Sequence, residues 1–405
     1  MKGHLFFTAC AVLACAWPGG KVAVRAAEPP ATIDFDPAAW LRERKLGRLT
    51  VKTPQSDRPL RAIAAATREE WEKERRLYLE ALRELIGPWP AVRPALGARV
   101  LEEADFPKYV RYKVGFQSLP SSAAYASEIR AWLFVPKTGQ KPMPAIVALH
   151  QTVPQGKDEP AGVKGPHSWM AFARYYAELG YVTLAPDMIG YGERTAGGYE
   201  RTGFELADAA PILDKHRETT LLGLMLFDVS RSIDYLETRN EVDRARIGVI
   251  GHSQGGFLVN FVLGLEPRFR AGAASCGYGI FRKDKLFPER WAARNSAYLP
   301  RLVFYKGDAD ALPFDFLHIM ALAAPTPHLV QTALGDTIWT KPAVEDDPFV
   351  MSELMRVHGF YGNTVAESFV SITPGRGATD KDHGWYPEGQ KAADELFAKV
   401  LRARE

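Results

Sequence analysis

Cysteine is scarce: there are three in 405 residues. Two of them, Cys10 and Cys15, fall in an apolar N-terminal run, which leaves only Cys276 for the rest of the chain. One cysteine cannot build a disulfide framework. Cys276 lies in Ala273-Ala274-Ser275-Cys276-Gly277, a predicted strand end, where it reads as a core residue. Histidines and acids are not placed at zinc or calcium spacing, so no metal and no other cofactor is expected. Basic runs are missing, as is any basic face with interleaved aromatics, and the net charge is only +3. That argues against nucleic acid as a partner. Internal repeats and low-complexity stretches are lacking as well. The apolar run from Leu5 to Ala16 is too short to span a bilayer as a mature helix, so no stable membrane span is expected.

That run has another reading. Lys2 precedes it, and small residues follow at Ala14, at Ala16 and in Val24-Arg25-Ala26. The pattern predicts a signal peptide over residues 1–27 and a secreted or periplasmic protein. Val12-Leu13-Ala14-Cys15 is similar to a lipoprotein cleavage box, which makes anchoring through Cys15 a minor alternative.

The remaining composition is that of an ordinary globular chain, 46% hydrophobic and 24% charged. Residues 28 to about 66 read as a covering arm with little periodicity. Residues 68–87 carry helical apolar spacing (Trp71, Leu77, Leu79, Leu82, Leu85) and stop at Gly87-Pro88. Beyond them, strands are predicted at 108–114, 129–136, 145–149, 181–186, 246–250, 268–276, 328–332 and 368–372. From 145 onward they alternate with helices, at 169–179, 222–238, after Gly255, 316–323, 349–357 and 387–402. This alternation predicts a doubly wound, mostly parallel sheet of about eight strands, with its ligand site beyond their carboxyl ends. Two long insertions, at about 188–221 and 278–315, read as lids or substrate walls.

The motif that organises the chain is Gly251-His252-Ser253-Gln254-Gly255, set between a buried strand and a buried helix. A Gly-x-Ser-x-Gly turn in that context is a nucleophile elbow. It lifts a serine hydroxyl above the sheet and aims the next backbone N–H at a developing oxyanion. Such a serine needs a base and an orienting acid, which follow it in the order acid, then histidine. His383, in a polar loop between the last strand and the last helix, is the predicted base. His358, near a helix end, reads as a surface or lid residue. Asp336, which closes the strand at 328–332, is the favoured acid because one helix and one strand separate it from His383. Asp310, in Gly307-Asp308-Ala309-Asp310, is the alternative, and reads as a lid residue if Asp336 serves. The second oxyanion donor is expected from His150-Gln151-Thr152, with the N–H of Thr152 first and that of Gln151 second. His150 itself reads as a packed loop residue.

Over about residues 100 to 402 the sequence resembles the α/β-hydrolase superfamily. His150-Gln151-Thr152 looks like a variant of the His-Gly-x oxyanion loop, with Gln151 in place of glycine. Asp187-Met188-Ile189-Gly190-Tyr191-Gly192 is similar to the Asp-x-x-Gly-x-Gly loop. The run from Asp228 to Gly248 leads into the elbow as in dienelactone-hydrolase and acetyl-xylan-esterase-like members. Ala324-Pro325-Thr326-Pro327 resembles the Ala-Pro-Arg-Pro that precedes their acid strand, with Thr326 in place of arginine.

The resemblance implies an α/β-hydrolase catalytic domain over 98–405, preceded by an arm and helix over 28–97. It also implies a serine esterase acting on small-molecule or carbohydrate esters. A prolyl-oligopeptidase-like peptidase is the alternative, with two features against it. The N-terminal segment is too short for a propeller, and Gln254 stands where those enzymes carry an aromatic residue.

Overall fold

The computed structural model describes residues 35–165, 168–196, 205–292, 297–332, 336, 338–339, 346–362, 371–372 and 383–402. The expected signal peptide, with Cys10 and Cys15, lies outside them. Nine strands form one sheet: β1 (Arg99–Asp105), β2 (Tyr109–Gln117), β3 (Glu128–Pro136), β4 (Met143–Leu149), β5 (Val182–Pro186), β6 (Val242–His252), β7 (Phe269–Ser275), β8 (His328–Gln331) and β9 (Ser371–Ile372). Their order is β1-β2-β3-β5-β4-β6-β7-β8-β9. The β1/β2, β2/β3 and β3/β5 pairs are antiparallel, and every other pair is parallel.

The ninth strand, β1, was not expected. It is an edge strand, largely exposed along its length, and it carries Arg99, Glu102, Glu103 and Asp105. With water reaching both faces, no apolar alternation marks it in the sequence. The central strands are the opposite case. All seven residues of β4 are buried: Ala145, Val147 and Leu149 enter one core, and Ile146 and Ala148 the other. Covered on both faces, such a strand reads as an unbroken apolar run.

The helices are α1 (Pro37–Glu43), α2 (Arg68–Ile86), α3 (Phe172–Glu178), α4 (Glu205–Leu213), α5 (Leu221–Leu236), α6 (Gln254–Leu265), α7 (Phe316–Ala321), α8 (Asp347–Gly359) and α9 (Pro387–Leu401). On one face of the sheet lie α3 and α9, through Phe172, Tyr176, Phe397 and Leu401. On the other lie α2, α5, α6 and α7. Among the described residues no helix is long and apolar enough to cross a membrane.

Two expectations about the N-terminal region need correction. The arm contains α1, capped by the Asp36 carboxylate, which accepts from the N–H groups of Ala38 and Ala39. Two turns are too short to show a period. In α2, which begins with a Thr67–Glu70 capping box, the buried face is Trp71, Glu74, Tyr78, Ala81, Leu82, Leu85 and Ile86. Leu77 is exposed. At 100° per residue it points about 120° away from Trp71.

His358 is also corrected. It is fully buried in α8, not at the surface, and burial pushes its imidazole down to about 4. His328 on β8 is equally buried and is held down to about 3 by burial and by the nearby His358. These folded values lie below the ordinary value near 6.5, so the native state favours the neutral rings. Their contribution is complete above pH 6.5 and is lost as pH falls towards 4 for His358 and towards 3 for His328, at roughly 1 kcal/mol per pH unit for each ring. His358→Gln is therefore expected to remove about one proton from the uptake on unfolding between pH 6 and 4.5. Urea midpoints across that range measure it, and an unchanged slope would contradict the assignment.

Candidate active site

The parallel strands end at one rim. Leu149 is paired with Gly251, His252 with Ser275, and Ser275 with Gln331. The chain leaves β4 for β5 on one side and reaches β6 on the other, so a crevice opens beyond the carboxyl ends of β4 and β6. Ser253 stands there, between β6 and α6, at φ 53° and ψ −113°. A non-glycine residue in that region costs on the order of 1–3 kcal/mol and persists only where its surroundings hold it. They do. Ser253 N–H donates to the Ser275 carbonyl at 2.8 Å. A Cβ on Gly251 would lie 2.4 Å from the Gly255 carbonyl carbon, and one on Gly255 would lie 2.3 Å from the Leu149 oxygen. The elbow is pressed against the end of β4, where the His150-Gln151-Thr152 loop begins.

In that loop His150 is buried. Its Nε2 accepts from the Met188 N–H at 3.0 Å and its Nδ1 lies 2.7 Å from the Gln151 oxygen, so it ties two loops together. Gln151 is half-buried and donates through Nε2 to Glu159 Oε1 at 2.9 Å. The Glu159 carboxyl is buried, and burial pushes it up to about 7 despite that bond. Thr152 is exposed. The side chain of Gln254 is buried and donates to the hydroxyls of Tyr191 at 3.1 Å and Tyr298 at 2.8 Å, and its backbone N–H belongs to the first turn of α6, where no helical carbonyl precedes it.

His383 and Asp336, 47 positions apart, meet. Nδ1 of His383 lies 2.7 Å from Asp336 Oδ2, and Asp336 is almost wholly buried. A hydrogen bond to a buried carboxylate is worth roughly 1.5–3 kcal/mol, enough to fix the ring. The far nitrogen, Nε2, is buried without a hydrogen-bond partner, so no bond to Ser253 Oγ is formed in this state. The His383 ring lies 4.7 Å from that of His252, the residue before Ser253. Asp310 lies elsewhere: its carboxylate is 74% exposed and faces Arg282 at 3.6 Å and Arg61 at 4.0 Å. Cys276 borders the pair, with its Sγ 3.6 Å from the Gly384 oxygen. Burial, then the Asp336 charge, push its thiol well up, so it stays protonated.

Sequence reasoning missed what holds the His383 loop. Gln331, the last residue of β8, donates through Nε2 to Ser275 Oγ at 2.8 Å and to the Gly384 oxygen at 2.8 Å, and its Oε1 accepts from the Tyr386 N–H at 3.1 Å. Ser275 Oγ also lies 2.9 Å from His252 Nδ1. The signal was present as two polar residues, Ser275 and Gln331, at the carboxyl ends of two neighbouring parallel strands.

The opposite wall is the Asp187 loop. The Asp187 carboxylate takes the Lys157 ammonium at 2.8 Å, the Lys157 N–H at 2.7 Å and the Glu193 N–H at 3.0 Å. A Cβ on Gly192 (φ 55°) would lie 2.1 Å from its Oδ1, which is why the motif needs glycine there. Arg194 then reaches Asp228 of α5 at 2.6 Å, and both are fully buried. Of the two insertions, 188–221 carries Gly192, Arg194 and α4, and 278–315 carries Tyr298 and Trp291, whose rings pack on Phe257.

The sequence profile of the acetyl xylan esterase (AXE1) family matches residues 98–280, and that of the prolyl oligopeptidase family matches residues 225–337. YtaP of Bacillus subtilis, described only as an inferred hydrolase, is 25% identical over 235 residues, which is 57% of this chain and 72% of that protein. A carbohydrate esterase, MZ0003, from an unknown prokaryotic organism is 29% identical over 123 residues, 29% of this chain and 28% of that one. The solved structure of a glucuronoyl esterase from Solibacter usitatus superposes with a TM-score of 0.59 at 19% identity, covering 87% of this chain and 97% of that one. The chain has the α/β-hydrolase fold, and over residues 98–280 its sequence resembles the acetyl xylan esterases, which are carboxylic ester hydrolases.

Proposed function

We propose that the protein is a secreted serine esterase that cleaves carboxylic esters of acylated carbohydrate through an acyl-enzyme. The observation that carries this reading is the Asp336–His383 hydrogen bond at the rim where Ser253 is held strained, with His383 Nε2 buried and unsatisfied. An imidazole fixed on its Nδ1 side is the tautomer that accepts a proton at Nε2. Ser253 Oγ attacks the ester carbonyl carbon and its proton passes to Nε2. The oxyanion takes the N–H groups of Gln254 and of Thr152, with Gln151 as the second choice in that loop. Collapse of the tetrahedral intermediate breaks the bond to the alcohol, which leaves with the proton from Nε2. Water then attacks the acyl-serine by the same route and releases the carboxylic acid. Asp336 keeps the ring oriented and stabilises the imidazolium between steps.

The carbohydrate part of the reading draws on the acetyl xylan esterase profile and on the carbohydrate esterase relative. Export draws on the predicted signal peptide over residues 1–27. The prolyl oligopeptidase profile spans only the stretch from α5 to the acid, which ester and amide hydrolases of this fold share.

The test is turnover of p-nitrophenyl acetate. Ser253→Ala is expected to lower kcat by at least ~10³-fold, and undiminished turnover would overturn the assignment. The matching p-nitroanilide is expected to be cleaved far more slowly than the ester, and a preference for the amide would favour the peptidase reading.

Gln331→Ala removes the clamp on Gly384 and Tyr386. It is expected to lower kcat roughly 10²-fold with little change in KM, because the base is mispositioned while the binding surface remains. A changed KM with unchanged kcat would show that Gln331 serves binding instead.

A further inference from the structure

Beside the His383 loop lies a cavity of about 510 Å³ that no step of the reaction uses. It is lined by α3 and the segment just before it, and by the residues that follow His383. Its size falls within the roughly 300–1,000 Å³ of small-molecule clefts. Its aromatic content sets it apart: Trp169, Tyr175, Trp385 and Tyr386 all line it. Trp169 is 42% exposed and Tyr175 38%, and among the described residues no other aromatic side chain is as exposed. Exposed apolar rings gathered in one concavity mark a binding surface. Polar groups stand among them. Arg174 is half-buried and spends one N–H on a long 3.4 Å contact to the Gly162 oxygen. Glu178 is exposed and pairs with Lys108 at 3.2 Å.

The cavity adjoins the catalytic centre. The Trp169 ring stands edge-on to His252 at 6.5 Å, and a Cβ on Gly384 would lie 3.7 Å from Trp169 Cη2. Trp385, two residues after His383, closes the floor and is held through its Nε1 by Gln390 at 2.9 Å.

We infer that this cleft is a glycan subsite, which seats pyranose rings of the chain carrying the ester that Ser253 attacks. A pyranose presents an apolar C–H face and a rim of hydroxyls. The first matches the faces of Trp169 and Tyr386, and the second matches Arg174 and Glu178. The inference rests on the esterase reading and extends it from the bond cleaved to the chain that bears it.

Two measurements test it separately from that reading. The first is calorimetric binding of unsubstituted xylohexaose to the full chain, which needs no turnover. Wild type is expected to bind, with affinity falling about tenfold in Trp169→Ala and measurably in Tyr386→Ala. No binding by wild type, or equal affinity in all three, overturns the subsite whether or not the protein is an esterase. The second is the ratio of kcat/KM on acetylated xylo-oligosaccharide to that on p-nitrophenyl acetate. It is expected to fall about tenfold in Trp169→Ala, mainly through KM, and taking a ratio cancels any effect of Trp169 on His252. Equal loss on both substrates would make Trp169 a support for the catalytic loop and overturn the subsite. Selective loss on p-nitrophenyl octanoate would make the cleft an acyl pocket, with the same consequence. If wild type cleaves neither ester, the esterase reading fails and the binding measurement still decides the cleft.

Discussion

Backbone touches backbone where the elbow meets β4, and the rest of the site depends on that contact. Gly255 sits so close to the Leu149 carbonyl that a single methyl group would overlap it. This approach forces Ser253 into a conformation that no isolated serine favours. It also sets the start of α6 against the loop that leaves β4. The strain at Ser253 is sustained by the buried parallel strands on both sides, where β4, β6 and β7 run in register to the rim.

Around that point the protein arranges polar groups in a mostly apolar setting. The Asp336–His383 bond supplies direction. Gln331 and Ser275, neither of them near Ser253 in sequence, supply rigidity by holding the segment that follows His383. On the other wall, Asp187 gathers Lys157 and two backbone amides, while the buried Arg194–Asp228 pair ties the loop to α5. Breaking such a pair by removing one partner costs roughly 3–5 kcal/mol, because the other charge is left buried and alone. Asp336 and His383, which follow β8 and β9 in the chain, are brought together within that frame.

Much of this was legible in the sequence, for identifiable reasons. Strands covered on both faces, such as Ala145–Leu149, announce themselves as apolar runs, and the glycines at 251 and 255 mark a turn with no space for side chains. The charged edge strand β1 and the two-turn helix α1 left no such trace, because half-solvated or very short elements need little apolar patterning. His358 was misjudged since a helix-end position does not reveal which neighbour covers it. Its burial against β8 is a tertiary fact. The role of Gln331 was equally hidden. A polar residue at a strand end has several possible uses, and only the returning loop after His383 shows which applies.

The central claim is that Ser253 is activated by His383 within this frame. Labelling with diisopropyl fluorophosphate, followed by mass spectrometry of the peptides, tests it most directly. The account predicts one phosphoryl adduct per chain, on Ser253, formed rapidly in wild type and at least ~10²-fold more slowly in His383→Ala. An adduct on another residue, or labelling of Ser253 at the same rate without His383, would contradict it.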